Sequence, residues 1–314
     1  MTRVVLTIST TLLLLSLAGT AQAASKPTVG IGEQNPNIFY DARWKALDKP
    51  DVRYVMSWDA LRYKAERASV DWYLTWARDH GARVLLSFGH SRRKGREMRL
   101  PSPRQFKQQF KAVRKRYPWV TTFQSWNEAN HGTQPTWKKP KAAARFFDII
   151  KSSCKKCVVS APSVLDDGYR MVAWVKAFKR AAKHKVTIWS IHNHIDVNRN
   201  LLGAKSTTKL LLRNTRGQLW FTETGGIWNR WVPKKSGKKK HIKRYNSRTA
   251  QRAIRNIFKL QRLAPRRIKR IYYYNWYAPA EKKPRWDSGL IGSNGKERKK
   301  LFGTFTAQVR KYAR

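Results

Sequence analysis

Eight short runs of apolar or aromatic residues recur along the chain, each bounded by turn residues and followed by a segment with helical spacing. This alternation predicts a parallel sheet whose outer face is covered by the crossover helices. Eight is the number of strands that a closed (β/α)8 barrel requires. The predicted strands are Thr28–Glu33, Val52–Trp58, Arg83–Gly89, Thr122–Asn127, Cys157–Ser163, Val186–His192, Gln218–Glu223 and Arg270–Trp276.

The segments between these strands carry apolar residues three and four positions apart, so that each predicted helix has one apolar face. Phe106, Phe110 and Val113 form such a face. The sixth helix, around residues 205–213, has the weakest pattern. The competing fold is an open doubly wound sheet, which usually has a glycine-rich phosphate turn after its first strand. The segment Gly30–Asn35 is not such a turn, and we therefore expect a single-domain TIM barrel.

The N-terminus has the pattern of a secretory signal peptide: the positive start Met1-Thr2-Arg3, an apolar stretch around Leu12–Leu17 and the small-residue run Ala21-Gln22-Ala23. We expect residues 1–23 to be removed and residues 24–314 to form the exported barrel domain. No later apolar run approaches the about 20 residues that a membrane span needs, so none is expected. The predicted location is extracellular, and association with the cell wall would fit it.

Polar residues collect where the fourth and seventh predicted strands end, in the sequences Trp126-Asn127-Glu128 and Thr222-Glu223-Thr224-Gly225. The carboxyl ends of barrel strands form the mouth of the active site. Cleavage of a glycosidic bond with retention needs two carboxyl groups roughly 5–5.5 Å apart. Either glutamate alone could merely neutralise a basic neighbour. Their occurrence at matching strand ends makes Glu128 and Glu223 a candidate catalytic pair.

These two motifs resemble those of the clan A glycoside hydrolases, retaining (β/α)8 enzymes in which an Asn-Glu pair ends strand four and a Glu ends strand seven. The resemblance implies that Glu128 is the general acid/base and Glu223 the nucleophile. It also implies that Asn127 hydrogen-bonds the 2-hydroxyl of the substrate. The expected protein is a monomeric hydrolase of polysaccharides or oligosaccharides that needs no cofactor and no metal ion.

Three further residues fit the same resemblance. His192 resembles the strand-six histidine that often hydrogen-bonds the nucleophile, and Trp276 resembles the strand-eight aromatic residue that forms the floor of the cleavage subsite. Arg53 resembles an arginine that several families of the clan place on strand two, although here it lies early in the strand. Each of the three could instead belong to the core.

Tryptophans near the predicted mouth are candidate platforms for sugar rings, because aromatic faces stack on the apolar faces of sugars. The alternative is packing against the barrel helices, which is the usual role of tryptophan in a barrel. The candidates are Trp58, Trp228, Trp231 and Trp286.

The formal net charge is +49, from 67 Lys and Arg against 18 Asp and Glu. Such an excess attracts polyanions. The basic residues are spread through nearly every predicted helix, without a nucleic-acid-binding motif, so specific nucleic-acid binding is not expected. A uniformly basic solvated surface and a surface that binds acidic polysaccharide or an anionic cell-wall polymer both fit. Residues 234–240, after the nucleophile, carry five lysines that form either a solvated loop or a clamp for such a polymer.

Two other functions stay open at the level of the sequence. A metal-dependent hydrolase is suggested by His192 and His194, which share a strand face, with Asp196 nearby. A barrel that binds wall carbohydrate without cleaving it is the non-enzymatic alternative, although such a protein has no need of both glutamates. Finally, Cys154 and Cys157 in an exported chain favour a structural disulfide, with free thiols as the alternative.

Overall fold

The computed structural model describes residues 26–47, 51–234 and 236–313, so that the predicted signal peptide lies outside the described residues. Eleven strands are present in these ranges, nine of them in one parallel sheet. They are β1 (Thr28–Gly32), β2 (Asp51–Ser57), β3 (Val84–Gly89), β4 (Thr122–Gln124), β5 (Val158–Ser160), β6 (Ser163–Leu165), β7 (Ile188–His192), β8 (Gln218–Thr224), β9 (Trp231–Pro233), β10 (Lys239–His241) and β11 (Ile268–Tyr274).

Helices connect these strands in the order that the sequence predicts. They are α1 (Ala42–Lys45), α2 (Lys64–Asp79), α3 (Pro103–Arg116), α4 (Pro140–Ser153), α5 (Gly168–Ala181), α6 (His194–Asn198), α7 (Thr207–Asn214), α8 (Ser247–Leu263) and α9 (Lys299–Tyr312). Two short 3-10 helices, Pro36–Tyr40 and Ala60–Arg62, follow β1 and β2. The strands lie in the order β5-β4-β3-β2-β1-β11-β8-β7-β6, with β9 and β10 forming a separate antiparallel hairpin.

The sheet closes on itself at the fifth strand position, which consists of two segments instead of one continuous strand. β5 pairs with β4, and β6 pairs with β7, both in parallel. Between these pairs, the amide of Ala161 donates to the carbonyl of Ile188 at 2.8 Å, and that of Ser163 donates to the carbonyl of Trp126 at 2.9 Å. The predicted single-domain (β/α)8 barrel is confirmed, with the predicted fifth strand divided in two.

Alternation along the strands separates the outside of the barrel from its inside. On β8, Leu219 and Phe221 belong to the large core between sheet and helices, whereas Trp220 belongs to a smaller interior cluster with Leu85 and Tyr272. Buried polar side chains such as Gln124 and Thr222 lie inside the barrel with this apolar cluster, and further polar residues follow where the strands end. This arrangement places the site at the carboxyl ends of the strands.

Side-chain hydrogen bonds at the first turn mark where two of the helices, α3 and α7, begin. Ser102 caps α3 in a capping box with Gln105, and Pro103 occupies the first turn. The weakly predicted sixth helix is α7, whose first amides, those of Thr207 and Thr208, donate to the buried carboxylate of Asp196. The helix is therefore anchored by a contact that periodicity does not reveal.

Two smaller predictions concern the chain as a whole. Cys154 and Cys157 form a disulfide, as the spacing and the expected export favoured. Across the part of the chain that the structure describes, no helix combines the length and apolarity needed to cross a membrane.

Candidate active site

Glu128 lies just beyond β4, in a backbone conformation that its neighbours hold in place. Its φ is 47°, in the left-handed region that residues other than glycine rarely adopt. The amide of Glu128 donates to Oγ of Ser163 at 2.8 Å, and the amide of Ala129 donates to the carbonyl of Ser163 at 2.9 Å. Such a conformation persists where surrounding contacts enforce it. Ser163, which the sequence analysis did not identify, thus fixes the direction of Glu128.

Glu223 lies on β8, and the residue two positions later allows the two last barrel strands to come close together. A Cβ atom on Gly225 would overlap the carbonyl oxygen of Tyr274, so only glycine permits this approach. The glycine of the Thr-Glu-Thr-Gly motif therefore brings the end of β11 against the end of β8. Tyr274 and Glu223 consequently border the same cavity.

The two glutamates face each other at one end of the barrel. One carboxylate oxygen of Glu128, one carboxylate oxygen of Glu223 and a ring nitrogen of His192 all lie within 4.8 Å of one another. Retaining glycosidases hold their two carboxyl groups roughly 5–5.5 Å apart, whereas inverting enzymes separate them by roughly 6.5–9.5 Å to admit a water molecule. An oxygen-to-oxygen distance within 4.8 Å fits the shorter of these two separations.

Arg53 links Glu223 to the other polar residues at the base of the cleft. Its Nη1 donates to Oε2 of Glu223 at 3.0 Å, and its Nη2 donates to Oδ1 of Asn127. Nε and Nη2 donate to Oε1 of Gln124 at 3.1 and 3.0 Å, and Gln124 in turn donates to Thr222 at 2.9 Å. The guanidinium is 1% exposed, so this network is the environment in which its charge is balanced. The structure thus places both Arg53 and Asn127 beside the predicted nucleophile.

Burial raises the pKa of Glu223, but the charge of Arg53, the hydrogen bond with His194 and, when it is protonated, the charge of His192 oppose it, and the resulting pKa lies below the ordinary value for glutamate. Burial also holds the pKa of His192 well below its ordinary value, so its ring is neutral at pH 7. The guanidinium of Arg53 is therefore the permanent positive charge beside Glu223. Glu223 is ionised at neutral and mildly acidic pH as a result.

His192, the last residue of β7, and His194, the first residue of α6, each lie nearest to a different glutamate. Nδ1 of His192 lies 3.1 Å from Oε1 of Glu128 and 3.8 Å from Oε2 of Glu223. Nε2 of His194 lies 3.4 Å from Oε1 of Glu223. The expectation that His192 hydrogen-bonds the nucleophile needs correction, because its closer partner is the predicted acid/base. His194, considered before only as a metal ligand, contacts the predicted nucleophile instead.

Trp276 is not the aromatic floor that the resemblance implies. Its side chain is fully buried, its indole nitrogen donates to Oδ2 of Asp41 at 3.0 Å, and its ring packs edge-on against Phe302. β11 ends at Tyr274, and the chain turns before Trp276 could continue along the same face. Tyr274 occupies the expected place, because it borders the cavities beside Glu128 and Glu223. Burial and the charge of Glu223 raise the pKa of Tyr274, so its hydroxyl is protonated.

Three of the four predicted tryptophan platforms also lie elsewhere. Trp58 is buried in the main core, and the partly buried Trp228 packs against that core beneath the guanidinium of Arg298. Trp231 lies in the hairpin, where its ring contacts that of His241. Of the four candidates, Trp286 is the one that borders the cleft, and its ring meets that of His194 edge-on at 4.7 Å between centroids.

The cleft consists of two cavities that meet at Glu128, Glu223 and Tyr274. The larger has a volume of about 1020 Å³ and the smaller about 200 Å³. The smaller is also bordered by Arg53 and Asn127. The predicted glutamates therefore lie at the bottom of an open groove with space on both sides, as the cleavage of a bond between two sugar residues requires. Aromatic side chains along the larger cavity are Trp137, Trp174, Tyr245, Tyr274 and Trp286.

Glu128, His192 and Glu223 offer the ligand atoms that a metal ion could use. The contact between Arg53 and Glu223 disfavours such an ion, because it would bring a divalent cation against a guanidinium that already neutralises this carboxylate. The ligand set suggested by the sequence is not assembled. Asp196 accepts hydrogen bonds from the first turn of α7, which occupies its carboxylate and leaves it out of the cleft.

No protein-family model matches the sequence, and no curated protein is similar enough to match it. Solved structures do share its fold. A psychrophilic glycoside hydrolase family 10 endo-β-1,4-xylanase is 14% identical, with a TM-score of 0.64 over 89% of this chain and 96% of that one. A fungal β-1,4-galactanase is 11% identical, with a TM-score of 0.63 over 90% and 99% of the two chains.

A third similar structure is a family 1 β-glucosidase from Thermotoga maritima, which is 10% identical, with a TM-score of 0.56 over 89% of this chain and 88% of that chain. The family 10 xylanase and the family 1 β-glucosidase belong to the clan that the two glutamate motifs resemble. At such low identity the similarity concerns the fold. The chain has the (β/α)8 fold of the clan A glycoside hydrolases.

Proposed function

We propose that this protein is a retaining glycoside hydrolase in which Glu128 is the general acid/base and Glu223 is the nucleophile. The observation that carries the proposal is the pair of carboxylates with oxygens within 4.8 Å, at the carboxyl ends of barrel strands in a fold shared with clan A glycosidases. The open groove on both sides of this pair supports it, since a glycosidic bond must lie across the two carboxylates.

Each step of double displacement has a group suited to it. Ionised Glu223 attacks the anomeric carbon while protonated Glu128 gives its proton to the leaving oxygen, which breaks the glycosidic bond and forms a glycosyl ester on Glu223. Glu128 then takes a proton from water, and this water attacks the anomeric carbon and releases Glu223. The sugar leaves with its original anomeric configuration.

The neighbours of the pair keep each carboxylate ready for its step. Arg53 holds Oε2 of Glu223 and favours the ionised form. Because Arg53 occupies the side-chain oxygen of Asn127, the amide group of Asn127 remains free to donate to the 2-hydroxyl of the sugar. The neutral ring of His192 beside Glu128 can accept a hydrogen bond from its protonated form or donate one to its ionised form.

Export and substrate are also parts of the proposal. The N-terminal pattern supports secretion, and the Cys154–Cys157 disulfide is consistent with an oxidising compartment. The net charge of +49 supports attraction to an acidic polysaccharide or an anionic polymer of the cell wall. We propose a monomer that acts there on polysaccharides or oligosaccharides.

Hydrolysis of a panel of neutral and acidic polysaccharides, with NMR analysis of the first anomer released, tests the proposal. Retention is expected, and an inverted first product would contradict it. Glu128→Ala should abolish cleavage of natural glycans but spare the cleavage step for aryl glycosides whose leaving group needs no proton. Glu223→Ala should abolish cleavage of both kinds. Glu281→Ala, which removes an exposed carboxylate, is the matched control and should retain full activity.

A further inference from the structure

The larger cavity of the cleft is lined with cationic side chains from several loops and from the first turn of α5. They are Lys138, Arg170, Arg199, Arg230 and Arg285. Lys138, Arg170, Arg199 and Arg285 are exposed, so water and salt ions can balance their charges, whereas the partly buried Arg230 depends more on a protein group or a ligand. The acidic residues that line the same cavity are therefore the first groups to consider.

Most of the negative charge in this cavity is already balanced. Asp167 pairs with Arg170 at 2.8 Å, and Glu223 pairs with Arg53 from below. Burial raises the pKa of Asp166 well above its ordinary value, which favours its neutral form. Glu128 remains as the acid/base of the proposed reaction. The other four cations thus face a cleft with little negative charge to meet them.

Arg230 is the most constrained of these cations. Its guanidinium lies over the ring of Trp286, 5.0 Å from the centroid, and 6.0 Å from that of Tyr245. Its Nε is buried without a hydrogen-bond partner, and within residues 26–47, 51–234 and 236–313 Arg230 forms no ion pair. A partly buried guanidinium normally has a carboxylate or another acceptor against it. Here the aromatic rings orient the guanidinium, and an anionic group of a ligand could take the place of the missing carboxylate.

This guanidinium borders the same cavity as the two glutamates and is connected to Glu223 through a chain of ring contacts. Trp286, on which it stacks, meets the ring of His194 edge-on at 4.7 Å, and His194 reaches Oε1 of Glu223 at 3.4 Å. Arg285 precedes Trp286 in the chain and borders the same cavity. A sugar residue that is seated in this cavity beside Glu223 would therefore present its substituents to Arg230 and Arg285.

We propose that Arg230 and Arg285 form a subsite for the anionic group of a sugar residue next to the cleaved bond, and that the substrate is an acidic polysaccharide. The inference rests on the proposed function and deepens it. A guanidinium offers two parallel donors that match a carboxylate or a sulfate group. The subsite thereby recognises a particular substituent, whereas the general surface charge only concentrates polyanions near the protein.

Binding measurements on Glu128→Gln, which should bind substrate without turning it over, test this subsite separately from catalysis. The probes are tetrasaccharides of galacturonic acid and mannuronic acid, their carboxyl-reduced neutral counterparts, and a chondroitin sulfate tetrasaccharide to distinguish sulfate from carboxylate. Titration calorimetry gives Kd for each. At least one acidic probe should bind about tenfold or more tightly than a neutral one, since each charge-assisted contact contributes that much.

Arg230→Gln in this background should weaken binding of the preferred acidic probe about 10- to 100-fold without affecting the neutral probes. Arg285→Gln, at an exposed position that tolerates substitution, should weaken it less and in the same direction. Arg262→Gln is the matched control, because Arg262 also stacks on an aromatic ring, that of Tyr312 at 4.2 Å, but borders neither cavity of the cleft. It removes the same charge and should change Kd little.

Equal binding of acidic and neutral probes, no binding of any acidic probe, or equal losses from Arg230→Gln and Arg262→Gln would each overturn the subsite. These outcomes leave the glycosidase proposal intact if the wild-type protein hydrolyses neutral glycans. Conversely, selective binding that depends on Arg230, without hydrolysis of any glycan by the wild-type protein, would support the subsite and contradict the proposed function.

Discussion

Two arginines in the cleft show how the same side chain can serve opposite purposes. Arg53, at the base, is buried and donates to Glu223, Gln124 and Asn127. Arg230, on the wall, stacks on Trp286 and has no anionic partner in the described part of the chain. The guanidinium at the base completes a network within the protein, while the one on the wall is oriented and left unpaired. A buried arginine that is fully hydrogen-bonded positions other side chains of the site. An arginine without an anionic partner is available to contact a ligand.

The largest effect is expected from Arg53→Gln. Removing one partner of a buried ion pair leaves the other uncompensated and costs about 3–5 kcal/mol of unfolding free energy. Glu223 then loses the charge that favours its ionised form. The lowered pKa of Glu223 in the folded protein means that its contribution to stability is present above its unfolded pKa and disappears as pH falls through the folded value.

In the pH profile of kcat/KM, the acid limb reports the same ionisation of Glu223 in the free enzyme. Without Arg53 the pKa of Glu223 rises, so we expect this limb to move to higher pH. Arg270→Gln is the control, since Arg270 pairs with Asp51 at 3.1 Å and stacks on Trp220 away from the two glutamates. Arg270→Gln should lower the unfolding free energy without moving the acid limb of the pH profile. If the acid limb does not move in Arg53→Gln, then Arg53 does not lower the pKa of Glu223.

Tyr274 and Trp276 show a similar contrast between two aromatic residues, because Tyr274 borders the cleft and Trp276 is buried in the core. Tyr274→Phe removes a protonated hydroxyl beside the glutamates and should lower kcat/KM about tenfold with little change in stability. Trp276→Phe removes the hydrogen bond to Asp41 and core volume, and should lower the unfolding free energy by about 1–3 kcal/mol while sparing kcat/KM. Paired activity and denaturation measurements check both variants. If Trp276→Phe instead lowered kcat/KM and Tyr274→Phe did not, Trp276 would be the floor of the subsite after all.

The smallest effect concerns the hairpin lysines. Lys234, Lys238, Lys239 and Lys240 are exposed around β9 and β10, and Lys235 lies outside the described residues. Exposed charges are screened within about 10 Å at 0.1 M salt, so retention on a polyuronate matrix should weaken steeply as salt rises. Replacing the five lysines with glutamine should weaken retention severalfold and spare hydrolysis of a small neutral aryl glycoside. If binding to the polyuronate matrix does not change with salt concentration, these lysine charges do not contribute to that binding.

Much of the architecture follows from local patterns. The strand positions follow from apolar runs, and the positions of Glu128 and Glu223 follow from motifs at strand ends, because the ends of parallel strands meet at one rim. Features that depend on how the barrel closes could not be predicted from these local patterns. The end of β11 at Tyr274 decides that Trp276 turns into the core, and alternation alone would have placed both on one face.

Contacts between distant segments were the hardest to predict. Ser163 supports Glu128 across 35 positions of sequence, and an ordinary serine near a strand gives no sign of that task. The preference of His192 for Glu128 over Glu223 depends on the unusual backbone at Glu128. Arg53 is paired, whereas Arg230 has no ion-pair partner among the described residues, and this difference likewise depends on contacts that composition does not reveal.

Rescue by azide tests the assignment of the two glutamates most directly. In Glu223→Ala the small anion should occupy the vacated space, attack an aryl glycoside once and give a glycosyl azide of inverted configuration. In Glu128→Ala it should instead intercept the covalent intermediate on Glu223 and give the retained glycosyl azide. NMR of the isolated products distinguishes the two anomers. The opposite pair of configurations, or near wild-type activity in both variants, would contradict a retaining mechanism with Glu223 as nucleophile and Glu128 as acid/base.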